Sequence, residues 1–182
     1  LGYKLSTNVF RIENDYLVLE ISCKHGIFNV LLDKEDYNKV KVKKWNVMQH
    51  TSDKSRYVIR HSYFNENKYR SLYIHRYVLD YNDKLVIDHI NGNTLDNRKS
   101  NLRICTHMEN CRNQKICKIN TSNAKGVCFN RRSKKWTARI GLNNKRIFLG
   151  YFESKKDATI AYNTKAIEIY GKFAKLNEVE NV

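Results

Sequence analysis

Asp88 and His89 are adjacent in the chain, Asn101 follows His89 by 12 positions, and Asn110 follows Asp88 by 22. A carboxylate is a hard oxygen ligand suited to magnesium or manganese. An imidazole with an intrinsic pKa near 6.5 is mostly neutral at physiological pH and can take a proton. The amide of Asn110 can add an oxygen to the ion held by Asp88, and that of Asn101 can fix the tautomer of His89 by hydrogen bonding. Neighbours on a strand point to opposite sides. Asp88 and His89 therefore converge on one phosphate only if the strand end is bent or a helix packs against it. An Asp-His pair alone is most simply a structural hydrogen bond, and lone asparagines serve loops and caps. The joint spacing is what points to a site.

Around these residues runs IDHINGNTLDNRKSNLRICTHMEN. It resembles the HNH (ββα-metal) endonuclease family, in particular the phage homing endonucleases with an Asp-His-Asn-Asn version of the motif. The resemblance implies that Asp88 and Asn110 hold one divalent ion, magnesium or manganese, that His89 is the general base and that Asn101 orients it. It implies hydrolysis of a DNA phosphodiester to leave 5′-phosphate and 3′-hydroxyl ends. His75, in YIHRYV, matches a histidine that often precedes the motif; packing or a DNA contact is the expected role. Arg98, Lys99 and Arg103 are candidate phosphate contacts, solvated surface charge being the alternative for each.

The elements that must position this motif read as strand, loop, strand, helix. Leu85–His89 is a strand, residues 90–101 are a polar loop turning at Asn91-Gly92, and Leu102–Cys105 is a second strand. Thr106 with Glu109 forms a capping-box pattern for a helix running to about Lys118. Upstream, residues 1–70 read as β-rich: Tyr16–Ile21, Ile27–Leu32, Val42–Met48 and Arg56–Phe64 are strand candidates, and Asp33–Val40 is a helical turn or loop. Tyr73–Tyr81 reads as a strand end entering a short helix. Downstream, Gly126–Asn130, Lys135–Leu142 and Arg146–Phe152 are three strands, with a tight turn at Asn143-Asn144. A helix of about 16 residues follows, capped by Ser154 and stopped by Gly171, with Ala158, Ala161, Tyr162, Ala166 and Ile169 on one face. The expected class is α+β in three parts: a β-rich region over 1–70 supporting a nuclease, an HNH motif over 71–121, and a three-stranded antiparallel sheet backed by one helix over 122–177. Residues 119–124 serve as a short linker.

The last part, KGVCFNRRSKKWTARIGLNNKRIFLGYF and the alanine-rich helix after it, resembles the APETALA/ethylene-response-factor type of DNA-binding domain. In that family a sheet lies in the major groove with a helix behind it. The resemblance implies DNA contacts from Lys125, Asn130, Trp136, Arg139 and Arg146, with Arg131, Arg132, Lys134, Lys135 and Lys145 on phosphates. Core or sheet packing is the alternative for Trp136 and Phe148. The chain departs from the plant pattern at Cys128, Arg139 and Gly141, so sequence preference does not carry over.

The charge agrees with a polyanionic partner. The net charge is +16, and residues 122–177 carry 13 basic against 3 acidic side chains. Lys39, Lys41, Lys43 and Lys44 add a smaller cluster for phosphate contacts. Double-stranded DNA is the expected partner; RNA ranks last because the A-form major groove is too narrow for a sheet. No apolar run of about 18 residues spans a membrane. The basic charge lies on strands, and membrane binding is not expected. Of the five cysteines none forms a C-x-x-C pair, and LGYKLSTNVF lacks the apolar core of a secretion signal. Reduced thiols in an intracellular protein are therefore expected, in a bacterial cytoplasm if phage-encoded, and no structural zinc. Three uses of the motif stay open: a homing-type monomer that nicks, a restriction-type homodimer that cuts both strands, and a DNA-binding regulator without catalysis.

Overall fold

Alternating apolar residues in the first third put one face of each strand into a shared core. In the computed structural model, which describes residues 7–49, 57–114, 116, 120–143 and 145–179, the backbone divides into two compact units, 1–106 and 107–182. The boundaries expected at 70/71 and 121/122 fall inside these units. The class is α+β, strand-rich, with small antiparallel sheets. Among the described residues, no helix is long and apolar enough to cross a membrane.

In the first unit, β1 (Thr7–Glu13), β2 (Tyr16–Cys23) and β3 (Gly26–Asp33) form one meander. A short helix α1 (Tyr37–Val40) leads to a second meander of β4 (Asn46–Gln49), β5 (Tyr57–Asn65) and β6 (Lys68–Tyr73). Helix α2 (Ile74–Val78) follows, then the hairpin of β7 (Val86–His89) and β8 (Leu102–Cys105). Leu17, Leu19, Ile21, Val30, Leu32, Trp45, Ile59 and Ile74 are nearly or fully removed from water in one core that also takes Ile87 and Leu102 from the hairpin. Each such aliphatic side chain stabilises by about 1.5–3 kcal/mol relative to exposure. Trp45 is fixed by its indole N–H donating to Val40 O at 2.9 Å and by paired bonds with the Asn8 amide at 2.7 and 2.9 Å. The site hairpin is thereby rooted in the core of the N-terminal strands.

Two strands were not anticipated. β1 is half exposed and lacks a continuous apolar run, and β6 is mostly exposed, so neither carries a burial signal. The strand expected over Val42–Met48 begins only at Asn46, because residues 41–43 form a turn. Arg56, the first residue expected in the next strand, lies outside the described residues.

In the second unit, helix α3 (His107–Arg112) has six residues and buries none of them. It ends well before the expected Lys118, at a turn closed by Asn113 N–H donating to Asn110 O at 3.1 Å; Lys115, Cys117, Lys118 and Ile119 lie outside the described residues. Then β9 (Val127–Asn130), β10 (Lys135–Leu142) and β11 (Lys145–Phe152) form an antiparallel sheet in the order β11-β10-β9. Asn143, at φ 49°, reverses the chain between β10 and β11; Asn144 lies outside the described residues. Helix α4 (Lys155–Tyr170) starts where Ser154 Oγ accepts from Asp157 N at 3.0 Å and stops at Gly171, φ 52°. Its Ala158, Tyr162 and Ala166 pack on Val127, Ala138 and Ile140. Ala161, expected on this face, is half-buried, and Thr159 is buried instead.

The small alanines bring α4 close to the sheet, and Gly126 makes the approach possible. At φ +69°, a Cβ there would come within 2.3 Å of Arg139 O and 2.4 Å of the Tyr162 ring. Gly126→Ala should therefore destabilise this unit by about 3 kcal/mol through left-handed strain and overpacking. Urea denaturation followed by Trp136 fluorescence checks this, and an unchanged midpoint contradicts it.

Candidate active site

Asp88 and Arg103 are direct cross-strand partners on the β7–β8 hairpin. Both Arg103 Nε and Nη2 donate to Asp88 Oδ2, at 2.9 and 2.6 Å, with the two side chains only 12% and 7% exposed. His89, the last residue of β7, is buried beside this pair. Its Nε2 lies 3.2 Å from Asn97 Oδ1. The Nδ2 of Asn97 donates to Thr94 O at 3.2 Å, which leaves Oδ1 as the acceptor facing the ring. Nε2 therefore carries the proton, and the basic lone pair is on Nδ1.

The polar loop between the strands is a hydrogen-bonded scaffold. Leu31 N–H donates to Leu95 O and Asn97 N–H to Leu31 O, both at 2.8 Å, so the loop docks on the edge of β3. Lys99 N–H donates to Asp33 Oδ2 at 2.7 Å. Asn97 is fully buried. Its amide is held on the backbone side by β3 and aimed at His89 on the other.

Asn101 does not reach His89. Its Oδ1 accepts from Asn91 N–H at 3.0 Å, and its Nδ2 donates to Asn91 Oδ1 at 3.1 Å and to Asp96 O at 2.8 Å. The amide expected on the imidazole instead clamps the loop that carries Asn97. Asn97 was missed because nothing distinguishes it in a loop of four asparagines. Its place eight residues after His89, opposite β3, emerges only once the loop has docked.

His75, on α2, packs edge-to-face on His89 with ring centroids 5.7 Å apart. Burial pushes His75 down to about 3, and the His89 and Arg76 charges add to this. His89 is also lowered, chiefly by burial, against the opposing pull of Asn97, Asp88 and Asp96. Both rings are thus neutral bases at physiological pH. Because the His75 pKa is depressed on folding, the unfolded chain takes up a proton that the folded chain refuses. Stability is then full above about pH 6.5 and falls as the pH drops from there towards 3. A urea midpoint lower at pH 4.5 than at pH 7, with a smaller difference in His75→Asn, is the expected result.

Several expected DNA contacts have protein partners instead. Arg98 Nε and Nη2 grip the carboxylate of buried Asp96 at 2.8 and 2.7 Å, which holds that carboxyl below the usual range. Lys99 reaches Glu35 and Asp36 at 2.6 and 3.1 Å, and Lys39 reaches Asp80 at 2.7 Å. Arg103 serves Asp88. Lys125 Nζ donates to Arg112 O and Gln114 O, both at 2.8 Å, closing the end of α3. Asn130 Oδ1 accepts from Arg132 and Ser133 N–H and shapes the β9–β10 turn. Lys135 pairs with Glu153 at 2.6 Å, exposed on the surface. Trp136 is half-buried against Phe129, 5.3 Å between centroids. Arg131, Arg132, Lys134, Arg139, Lys145 and Arg146 remain exposed. Arg139 lies over Phe148, itself 47% exposed and paired with Tyr151, so Phe148 belongs to the sheet surface rather than to the core.

Within the first unit the donor offered to an ion is a hard oxygen, the Asp88 carboxylate; Asn110, the other ligand expected from the sequence, lies on α3 of the second unit. Among the described residues no three His, Cys, Asp or Glu side chains converge. One carboxylate with few protein ligands fits magnesium or manganese, which keep several waters.

Comparison with known proteins places these observations. The sequence profile of the HNH endonuclease family matches residues 80–112. Protein 3.8 of Escherichia phage T7 is 32% identical over 89 residues, spanning 49% of this chain and 73% of that protein. The uncharacterized HNH endonuclease L560 of Acanthamoeba polyphaga mimivirus is 31% identical over 96 residues, 53% of this chain and 49% of its own length. The chain thus spans about half of the mimivirus protein. A solved structure described as DNA binding and cleavage by the HNH homing endonuclease I-HmuI is similar at 20% identity over 87% of this chain and 86% of that one, with a TM-score of 0.32.

Proposed function

We propose that this chain, which belongs to the same family as phage T7 protein 3.8 and carries an HNH endonuclease domain over residues 80–112, is a metal-dependent DNA endonuclease acting through Asp88, His89 and Asn110. The observation that carries the reading is a buried neutral imidazole beside a buried carboxylate on one two-stranded hairpin, each with a dedicated partner, Asn97 and Arg103.

His89 Nδ1 takes the proton from a water in line with the scissile phosphorus. Asn97 accepts from Nε2–H throughout and steadies the imidazolium as it forms. Asp88 and Asn110 would hold one magnesium or manganese ion, which supplies stabilisation of charge on the phosphate and the leaving 3′ oxygen. Arg103 holds the Asp88 carboxylate in place through its two donors. Asn101 acts one step back, as the clamp on the loop bearing Asn97. Asn97→Ala should lower the cleavage rate by about tenfold, less than removal of the base itself, and Asn97→Asp should restore part of it. The products are 5′-phosphate and 3′-hydroxyl ends.

DNA reading falls to the outer face of the β9–β11 sheet, where Arg139, Arg146, Phe148 and Tyr151 stand exposed. With a single site per chain, a homing-type nicking monomer is the first reading and a restriction-type homodimer the second. Supercoiled plasmid incubated with the full chain and manganese decides between them: open circles mean nicking, and linear product formed directly means paired cuts. Tight binding with no cleavage in either metal would overturn the enzyme reading in favour of a DNA-binding regulator.

A further inference from the structure

The distal part of the β5–β6 ribbon is exposed to water on both faces, from Ser62 to Ser71. A two-stranded ribbon without a buried face has no core of its own. Its side chains nevertheless include Phe64 at 61% and Tyr69 at 84% exposure, their rings 5.1 Å apart. Basic Arg60, Lys68 and Arg70 accompany them, against a single acid, Glu66. The Arg70–Glu66 pair is long, 3.7 Å, and exposed on both sides, so it binds little of the Arg70 charge. Glu66 and Asn67, at φ 48° and 57°, make the two-residue reverse turn that closes the ribbon.

The register places this surface relative to the chemistry. Arg60 pairs with Tyr73, Ser62 with Ser71, and Phe64 with Tyr69, so these residues share one face. At its base Tyr73 stacks on His75, 5.8 Å between centroids and 18° from parallel. His75 in turn meets His89 at 5.7 Å. One face of the ribbon therefore leads from the aromatic pair at the tip, past Arg60 at the base, to the ring assigned as the general base, while Lys68 and Arg70 project from the opposite face.

We propose that the β5–β6 ribbon is an arm that lies against duplex DNA on one side of the cut, an inference that rests on the nuclease reading for its orientation but not for its binding. A two-stranded ribbon matches the width of the major groove, about 12 Å. From Tyr73 to Lys68 the strand advances about 17 Å at roughly 3.3 Å per residue. At about 3.4 Å per base pair that length corresponds to some five base pairs of duplex.

The test is equilibrium binding of the full chain to a fluorescein-labelled random-sequence duplex several helical turns long, across a salt series. The triple substitution Arg60→Gln, Lys68→Gln, Arg70→Gln should weaken binding by about tenfold or more and lower the salt slope by about two to three. Lys at the two Arg positions should keep the slope. Phe64→Ser with Tyr69→Ser should weaken binding with no change in slope. An unchanged slope in the triple variant overturns the arm, as does tighter binding to the single-stranded form of the same oligonucleotide, or a shift from dimer to monomer in the aromatic variant, which would make the ribbon a contact between copies. A wild type that never cuts DNA while these binding losses persist sinks the nuclease reading and leaves the arm standing.

Discussion

His89→Ala should lower the single-turnover rate of DNA cleavage by about 10²- to 10⁴-fold, the range for losing a positioned general base. Affinity for manganese and for DNA should stay within a few fold, because the ring is assigned to neither. His89 already sits buried and neutral, with Nε2 committed to Asn97, so the substitution removes the lone pair on Nδ1 and leaves the hairpin register intact. Measured with excess protein over plasmid, a variant that cleaves at the wild-type rate contradicts the assignment of the base. A variant that loses DNA binding as well would show that the ring holds the substrate instead.

Arg103→Ala should cost about 3–5 kcal/mol of stability, since it strands a carboxylate that is 7% exposed. The effect should depend on what neutralises Asp88. Asp88→Asn combined with Arg103→Met should recover most of the loss while remaining inactive. Saturating magnesium should narrow the gap between Arg103→Ala and wild type, because the ion takes over the role of the guanidinium. Urea denaturation with and without magnesium reads both comparisons. A single variant within about 0.5 kcal/mol of wild type, the scatter of ordinary surface substitutions, contradicts the buried pair.

Arg103 also shows where the sequence stopped being informative. A basic residue near a motif announces a positive charge but not its partner, and the partner depends on cross-strand register. Asp88 opposite Arg103 becomes visible only when β7 and β8 are paired. Arg98, Lys99 and Lys125 repeat the lesson: each was expected to contact DNA, the first two on phosphate, and each has a carboxylate or a backbone carbonyl of the protein as a partner. The strands of the second unit were legible because alternation, an asparagine turn and the Ser154 cap all agree locally. β6 was not legible, because an exposed ribbon carries no burial pattern to read. The helix after Thr106 was expected to be longer because a capping pattern marks a start and not an end; α3 buries nothing that would extend it. The pair Asp88-His89 was readable as chemistry, whereas the amide that sets the tautomer of His89 required the loop docked on β3.

The most direct measurement is a manganese titration followed by electron paramagnetic resonance on the full chain and on the variants Asp88→Ala, Asn110→Ala and His89→Ala. One ion per chain is expected for wild type and for His89→Ala, with binding weakened by about tenfold or more in each of the other two. Asn110→Ala binding manganese as tightly as wild type would mean that the β7 carboxylate and the α3 amide do not share an ion, and a metal-assisted cut at this hairpin would lose its basis.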